Sequence, residues 1–224
     1  MNIQGNGHEH EFEPAFGLPE PLPKGEQILW QGAPDFKDMA LRVFHVRKAA
    51  IYFAIMIASR GIYLSLSGLG VLEVGKGVLL VSFLSAIAIG ALTTLAWLTA
   101  RTAAYTLTDQ RVVMRIGIVL TLTFNLPLKR MSTAGLQLTR GGFGDIPLAL
   151  NDGDRIGWLN LWPHARPWRL AQPEPMLRCI PQAQAVAAQL QQAWVAINGP
   201  GAAAALVSMT SVGTKEPKWQ VKLT

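Results

Sequence analysis

The sequence predicts an α+β integral membrane protein: a two-helix transmembrane hairpin joined to a cytoplasmic antiparallel β-sandwich or partly open barrel, capped by a C-terminal helix. Three observations carry this. Two long apolar runs, 49–72 and 78–100, lie almost end to end. After Arg101 the apolar residues alternate with a period of two. A helical period returns after Pro181 and stops at Asn198, Gly199 and Pro200.

The second run holds 23 residues without a charge. At about 1.5 Å per residue it reaches roughly 34 Å, enough to cross a hydrocarbon core of about 30 Å. The first run is as long but carries Arg60. The five residues 73–77 between them suit a tight helical hairpin. Lys37, Arg42, Arg47 and Lys48 precede the first run and Arg101, Arg111 and Arg115 follow the second, whereas the connection has Lys76 beside Glu73. Positive flanks stay inside, so both termini are expected in the cytoplasm. Residues 1–16 contain His8, Glu9, His10, Glu11 and Glu13 and no apolar core, so no cleavable signal is expected there.

Around the hairpin the chain divides by composition. Residues 1–24, acidic and carrying Pro14, Pro19, Pro21 and Pro23, are expected to be a mobile tail. Residues 25–48 read as a strand at 27–30 and an interfacial helix with Phe36, Met39, Ala40, Val43 and Phe44 at helical spacing. The hairpin takes 49–100. In 101–197, Val112, Met114 and Ile116 alternate with Arg111, Val113 and Arg115, and a second alternation follows Gly117. Shorter strands are expected at 135–139, 146–150, 155–161 and 176–180, then a helix with Val186, Leu190, Trp194 and Ile197 on one stripe. Residues 198–224 are expected to be a flexible tail.

Composition narrows the function classes. The chain has 224 residues, 20 Lys and Arg against 14 Asp and Glu, and a net charge of +6. That charge gathers beside the apolar runs, which suits an anionic leaflet, so membrane lipids and not nucleic acid are the expected polyanionic contact. The lone Cys179 excludes an intrachain disulfide and a multi-cysteine metal cluster. Gly141, Gly142 and Gly144 make a glycine-rich turn with no following Lys-Ser or Lys-Thr, hence no phosphate cradle. Asp145, Asp152 and Asp154 lack a matched histidine or carboxylate framework for acid–base work. Neither an enzyme nor a cofactor or metal carrier is expected. His45 reads as an ordinary interfacial histidine, with transient pigment ligation as the lesser alternative.

Partner-binding candidates remain. Arg60, about eleven residues from either flank of its run, costs roughly 2.5–3.5 kcal/mol on insertion scales, so it is expected to be satisfied internally or to meet an acidic partner helix, with Tyr63 on the same face. Ser82, Ala86, Gly90 and Thr94 recur every four residues, a spacing that lets helix backbones approach closely. Packing against the first span is the leading expectation for this ridge, with docking to another helix or to a second copy the alternative. Trp158 and Trp162, on one face of the expected strand and followed by His164, Arg166, Trp168 and Arg169, suit a membrane-facing or partner-facing rim.

Two resemblances extend this reading. The stretch Tyr105 to Gly117 (YTLTDQRVVMRIG), followed by a strand and Pro127 to Arg130 (PLKR), resembles the bacterial PH-like domain, which commonly follows a pair of transmembrane helices. Residues 12–16, followed by Gly17 to Asp35 (GLPEPLPKGEQILWQGAPD), resemble the opening of the PuhB-type photosynthetic complex assembly proteins of purple bacteria, and the likeness runs to about Ile197. The resemblance implies an assembly factor or chaperone for the reaction centre and core antenna, placed in a bacterial inner (intracytoplasmic) membrane. Its partners would be their subunits or other assembly factors, and it would have no catalytic residues. A PH-like fold does not imply phosphoinositide binding. A general PH-like membrane or lipid-homeostasis module is the alternative function.

Overall fold

A computed structural model describes residues 17–18, 20–151, 156–199 and 209–210. Strand β1 (Ile28–Gly32) comes first, then a short helix α1 (Phe36–Asp38) that runs into a π-helical turn at Met39–Val43. Two long helices follow, α2 (Val46–Leu66) and α3 (Val71–Thr102). The chain then alternates through β2 (Ala104–Thr108), β3 (Arg111–Ile116) and β4 (Leu122–Pro127). Beyond them lie β5 (Met131–Ala134), β6 (Leu136–Leu138), β7 (Gly144–Leu150), a single helical turn α4 (Trp158–Leu161), β8 (Met176–Ile180), α5 (Ala183–Asn198) and β9 (Met209–Thr210).

The strands form two sheets. One is antiparallel in the order β1-β2-β3-β4. In the other, β7 pairs antiparallel with β5, β6 and β8, and β9 pairs parallel with β6. The alternation read at Arg111–Ile116 holds in part: Val112, Met114 and Ile116 are buried and Arg111 and Arg115 are not, but Val113, expected on the face of the arginines, is buried too. Between the sheets, Tyr105, Leu107, Met114, Ile146, Leu148 and Leu177 form one core. Helix α5 closes it with Val186, Leu190 and Trp194, whose indole Nε1 donates to the Met131 carbonyl at 3.2 Å. This is the expected α+β body with its C-terminal helical cap.

The long helices are inserted within the first sheet. Strand β1 lies before them and β2 after them, yet Gln31 pairs with Thr106 and Gly32 with Tyr105. A second small core sits where helices meet sheets: Met39, Ala40, Ala96 and Cys179 are buried together. Polar contacts fasten it. The Asp35 side chain accepts from the Asp38 amide at 2.9 Å and caps α1, while the Asp35 amide donates to the Cys179 carbonyl at 2.8 Å. Arg42 donates to Asp38 at 2.7 Å and to Asp145 at 2.5 Å, and the Cys179 amide donates to the other Asp145 oxygen at 2.7 Å. Burial opposes the charge on Arg42, but Asp145 and Asp38 outweigh it and hold the guanidinium pKa above its usual value. The Cys179 thiol is pushed up to about 12 by burial and then by Asp145.

Five sequence expectations need correction, the first being the alternation after Gly117: it becomes a strand only from Leu122, and Leu120, on its expected core face, is 80% exposed in the turn before β4. The turn between the long helices is not 73–77 but 67–70, where Gly68 takes a left-handed φ of 73° that a β-carbon would resist. Glu73 and Lys76 are instead an i,i+3 ion pair at 2.9 Å in the first turns of α3, and Gly77 lets Leu64 pack against the α3 backbone. The interfacial helix is a short α-turn and a π-turn broken at His45, whose φ of 53° re-aims the chain into α2. The expected strand 155–161 is the helical turn α4, with residues 152–155 outside those described. Leu18, inside the expected mobile tail, is buried at 2% exposure. Residues 1–16 and most of the C-terminal tail also lie outside the described residues.

The Asp145 carboxylate is nearly buried and answers two donors, so removing it strands the Arg42 charge and the Cys179 amide. Asp145→Ala should destabilise the protein by about 3–5 kcal/mol. Glu73→Ala, which breaks an exposed pair, should cost under about 1 kcal/mol. Denaturant unfolding of the detergent-solubilised protein, followed by tryptophan emission, compares the two.

Candidate functional site

Helix α2 at 21 residues and α3 at 32 are long and apolar enough to cross a membrane, and only 6% of the apolar window of each is buried. A helix in the core of a soluble protein would be mostly covered, so these two leave apolar surface unmatched by their own chain. They pack on each other through Leu64, Gly61, Gly77 and Val78. Beside that seam, Phe53, Met56, Arg60 and Tyr63 of α2 and Val81, Leu84 and Ser85 of α3 line an open cleft of about 560 Å³.

Arg60 is the one cation in this lining. Its guanidinium carbon lies 5.9 Å from the centre of the Tyr63 ring, a cation–π contact, and it forms no ion pair among the described residues. The shifted turn also moves it along the helix. Arg60 stands fourteen residues after Val46 and six before Leu66, about 9 Å from the turn end and not at mid-helix. The neighbouring hydroxyls are occupied locally: Ser59 donates to the Met56 carbonyl and Ser85 to that of Val81. The cleft therefore presents one cation and one phenol among apolar walls, a setting suited to a carboxylate or carbonyl brought by another helix.

The small-residue ridge does not serve the seam. Ser82 is half-buried, but Ala86, Gly90 and Thr94 are exposed, and nothing lies within 4 Å of where a β-carbon of Gly90 would stand. The residues of α3 that are buried are Ser85, Ala96 and Thr99. The expectation that the ridge packs on the first span is overturned. The helical phase explains it, since the seam follows Gly77, Val78 and Ser85 while the ridge turns steadily away.

The expected rim is divided. Because 158–161 is helical, Trp158 and Trp162 do not share a strand face. Trp158 packs on the core, whereas Trp162, at 47% exposure, lies edge-on to Phe44 with ring centres 5.9 Å apart. Arg166 and Arg169 both pair with Glu174, at 2.7 and 3.2 Å, so much of the basic character foreseen there is spent within the domain.

His164, also placed on that rim by its sequence neighbours, is fully buried. Its Nδ1 meets the Tyr105 hydroxyl at 2.5 Å, and the same hydroxyl accepts from the Arg178 amide at 3.3 Å. The hydroxyl thus donates to Nδ1 and leaves the imidazole neutral with its proton on Nε2. Burial, and secondarily Arg178, lowers the His164 pKa to about 3. Burial likewise raises that of Tyr105. No sequence signal announces this pair, which is 59 residues apart and comes from different elements. Among the described residues no group of three His, Cys, Asp or Glu is placed to hold a metal ion.

Two sheets closed by a C-terminal helix and carrying a helical hairpin within the first sheet define a PH-like module with an inserted helical hairpin. The chain belongs to the bacterial PH domain family, whose model matches residues 54–194. It is also similar to a protein of Rhodobacter capsulatus described as an uncharacterized 23.7 kDa protein in the puhA 5′ region. The two are 39% identical over 201 residues, 88% of this chain and 94% of the relative. No solved structure matches the chain significantly.

The buried histidine makes stability pH-dependent with a definite sign. Above about pH 6.5 it is neutral in both states. Below that the unfolded chain takes the proton first, while the folded chain waits until about pH 3, so stability falls as pH drops between these values. At pH 5 the loss amounts to about 2 kcal/mol. His164→Gln should flatten the change in unfolding free energy between pH 7.5 and pH 5 by that amount, and an unchanged slope would place the acid sensitivity elsewhere.

Proposed function

We propose that this protein is an assembly factor for the photosynthetic reaction centre–core antenna complex that binds partner membrane helices and is not an enzyme. On this reading α2 and α3 span a bacterial inner membrane, and the sheet domain and both termini face the cytoplasm. The charge pattern supports the orientation, because Arg47, Lys48 and Arg101 stand at the sheet end of the hairpin, whereas the turn end has the mutually paired Glu73 and Lys76 and, about 9 Å from it, the single cation Arg60. The photosynthetic link rests on the resemblance of the chain to PuhB-type proteins and on its relative in the puhA 5′ region, which suggests a role tied to the photosynthesis operon.

The single observation that carries the binding mechanism is the outward ridge Ala86–Gly90–Thr94 of α3, left uncovered by α2. In lipid, apolar surface alone gives helices no reason to associate, and close backbone packing at small residues supplies one. Arg60 in its cleft adds a polar contact that a partner helix can satisfy more fully than Tyr63 does.

The test is the near-infrared absorption of membranes from a strain lacking the gene, complemented with wild type, Gly90→Leu or Arg60→Leu. The core-complex band should fall severalfold in the deletion and return with wild type. Each variant should restore it only in part while accumulating in the membrane normally. A normal spectrum in the deletion, together with envelope defects, would favour the general membrane-homeostasis role. Full restoration by both variants would remove the ridge and Arg60 from the mechanism.

A further inference from the structure

Two turns of the sheet domain expose large apolar side chains at the end where the long helices enter it. In the first, α4 and the residue after it present Leu159 at 80% exposure and Trp162. Trp162 is fixed against Phe44, which lies two residues before the start of α2 and within one helical turn of the exposed Arg47 and Lys48. The second is the turn between β3 and β4. Ala104, the first residue of β2 and two beyond the end of α3, pairs with Arg115, and Ile116 pairs with Leu122. The tip between them therefore projects past the start of β2 toward the end at which the chain leaves α3. It carries Val119 at 90% and Leu120 at 80% exposure.

Apolar side chains on loop tips are costly in water, at about 25 cal/mol per Å² of surface left wet. Those tips stand beside the termini of helices that leave nearly all their apolar surface uncovered. On α3 itself Trp97 is half-exposed with Arg101 stacked 5.3 Å from its ring, an aromatic and a cation at the level where the helix meets the sheets. Aromatic rings and basic side chains at the same depth match the headgroup layer of a bilayer.

We propose that the Leu159–Trp162 turn and the Val119–Leu120 turn insert into the headgroup and upper acyl layer of the cytoplasmic leaflet. They make two further footholds beside the hairpin and hold the sheet domain in one orientation on the membrane. The proposal rests on the spanning reading of α2 and α3, and the occupant is the lipid bilayer, not a protein.

The full chain, reconstituted in phosphatidylethanolamine–phosphatidylglycerol vesicles, tests it. Single cysteines are introduced by Leu159→Cys or Leu120→Cys, with Gln192→Cys on the exposed face of α5 as the solvent control and Ile55→Cys on α2 as the membrane control, and each is labelled with an environment-sensitive fluorophore. The native Cys179 is fully buried and serves as the unlabelled background. Nitroxide carried on lipid acyl chains should quench the labels at 159 and 120 at least threefold more than that at 192, and aqueous iodide should show the opposite order. If 159 and 120 behave like 192 while 55 is quenched by the lipid nitroxide, the turns lie in water and the proposal fails although the helices span. If 55 also escapes the lipid nitroxide, the spanning reading fails and takes the proposal with it.

Discussion

The pairing of β1 with β2 across the inserted helices constrains everything else. Strand β1 ends at Gly32 and β2 begins at Ala104, so the sheet closes only when the chain has gone out through α2 and returned through α3. The hairpin is thus not an anchor tied to a finished domain by a linker. Its base is a wall of that domain: Ala96 of α3 is buried with Met39 and Cys179, and Arg42 just before α2 meets Asp145 of β7. Tilting the helices would pull on the Arg42–Asp145 contact and on the β1–β2 ladder together. A disturbance of the hairpin by a bound helix therefore has a short mechanical path to the sheets, through one ion pair and one small apolar cluster.

Much of this was readable because the signals were periodic. The two-residue alternation at Arg111–Ile116 and the stripe Val186, Leu190 and Trp194 each repeat often enough to declare their faces, and both faces are buried as the pattern requires. The two apolar runs were equally plain. What failed was punctuation. Charges at Glu73 and Lys76 look like a loop in a linear reading, but at i,i+3 they neutralise each other on the helix surface, and the real stop is a glycine at positive φ. The strand expected at 155–161 failed for a related reason: four residues of helix show too little of any period to be told from a strand.

The candidate site divides along the same line. Arg60 was conspicuous as a charge in an apolar run, yet its depth depended on where the helix ended, and moving the turn brought it within about 9 Å of that end. The ridge was legible as a spacing but not as a direction, because four-residue spacing drifts around the helix and the phase of the seam is set by Gly77 against Leu64. The Tyr105–His164 contact was beyond reach altogether. Its partners come together only through the tertiary fold, one from β2 and one from the segment after α4, and no period runs through that segment to mark His164 as inward.

The strength of the proposed docking follows from the membrane as solvent. Interhelical polar contacts in lipid are worth on average about 0.6 kcal/mol and at most near 2, and a short ridge adds van der Waals packing without a hydrophobic term. On the proposed reading, one arginine with a phenol beside it and the three-residue ridge Ala86, Gly90 and Thr94 would hold a partner helix weakly. Weak holding is what an assembly factor requires, since the partner must leave for its final complex, where it finds more extensive contacts. The same reasoning gives the sheet domain its place: if each helix contact is weak, the orientation of the hairpin must be fixed by something other than the partner. The clamp at Arg42 and Asp145 supplies that fixed base.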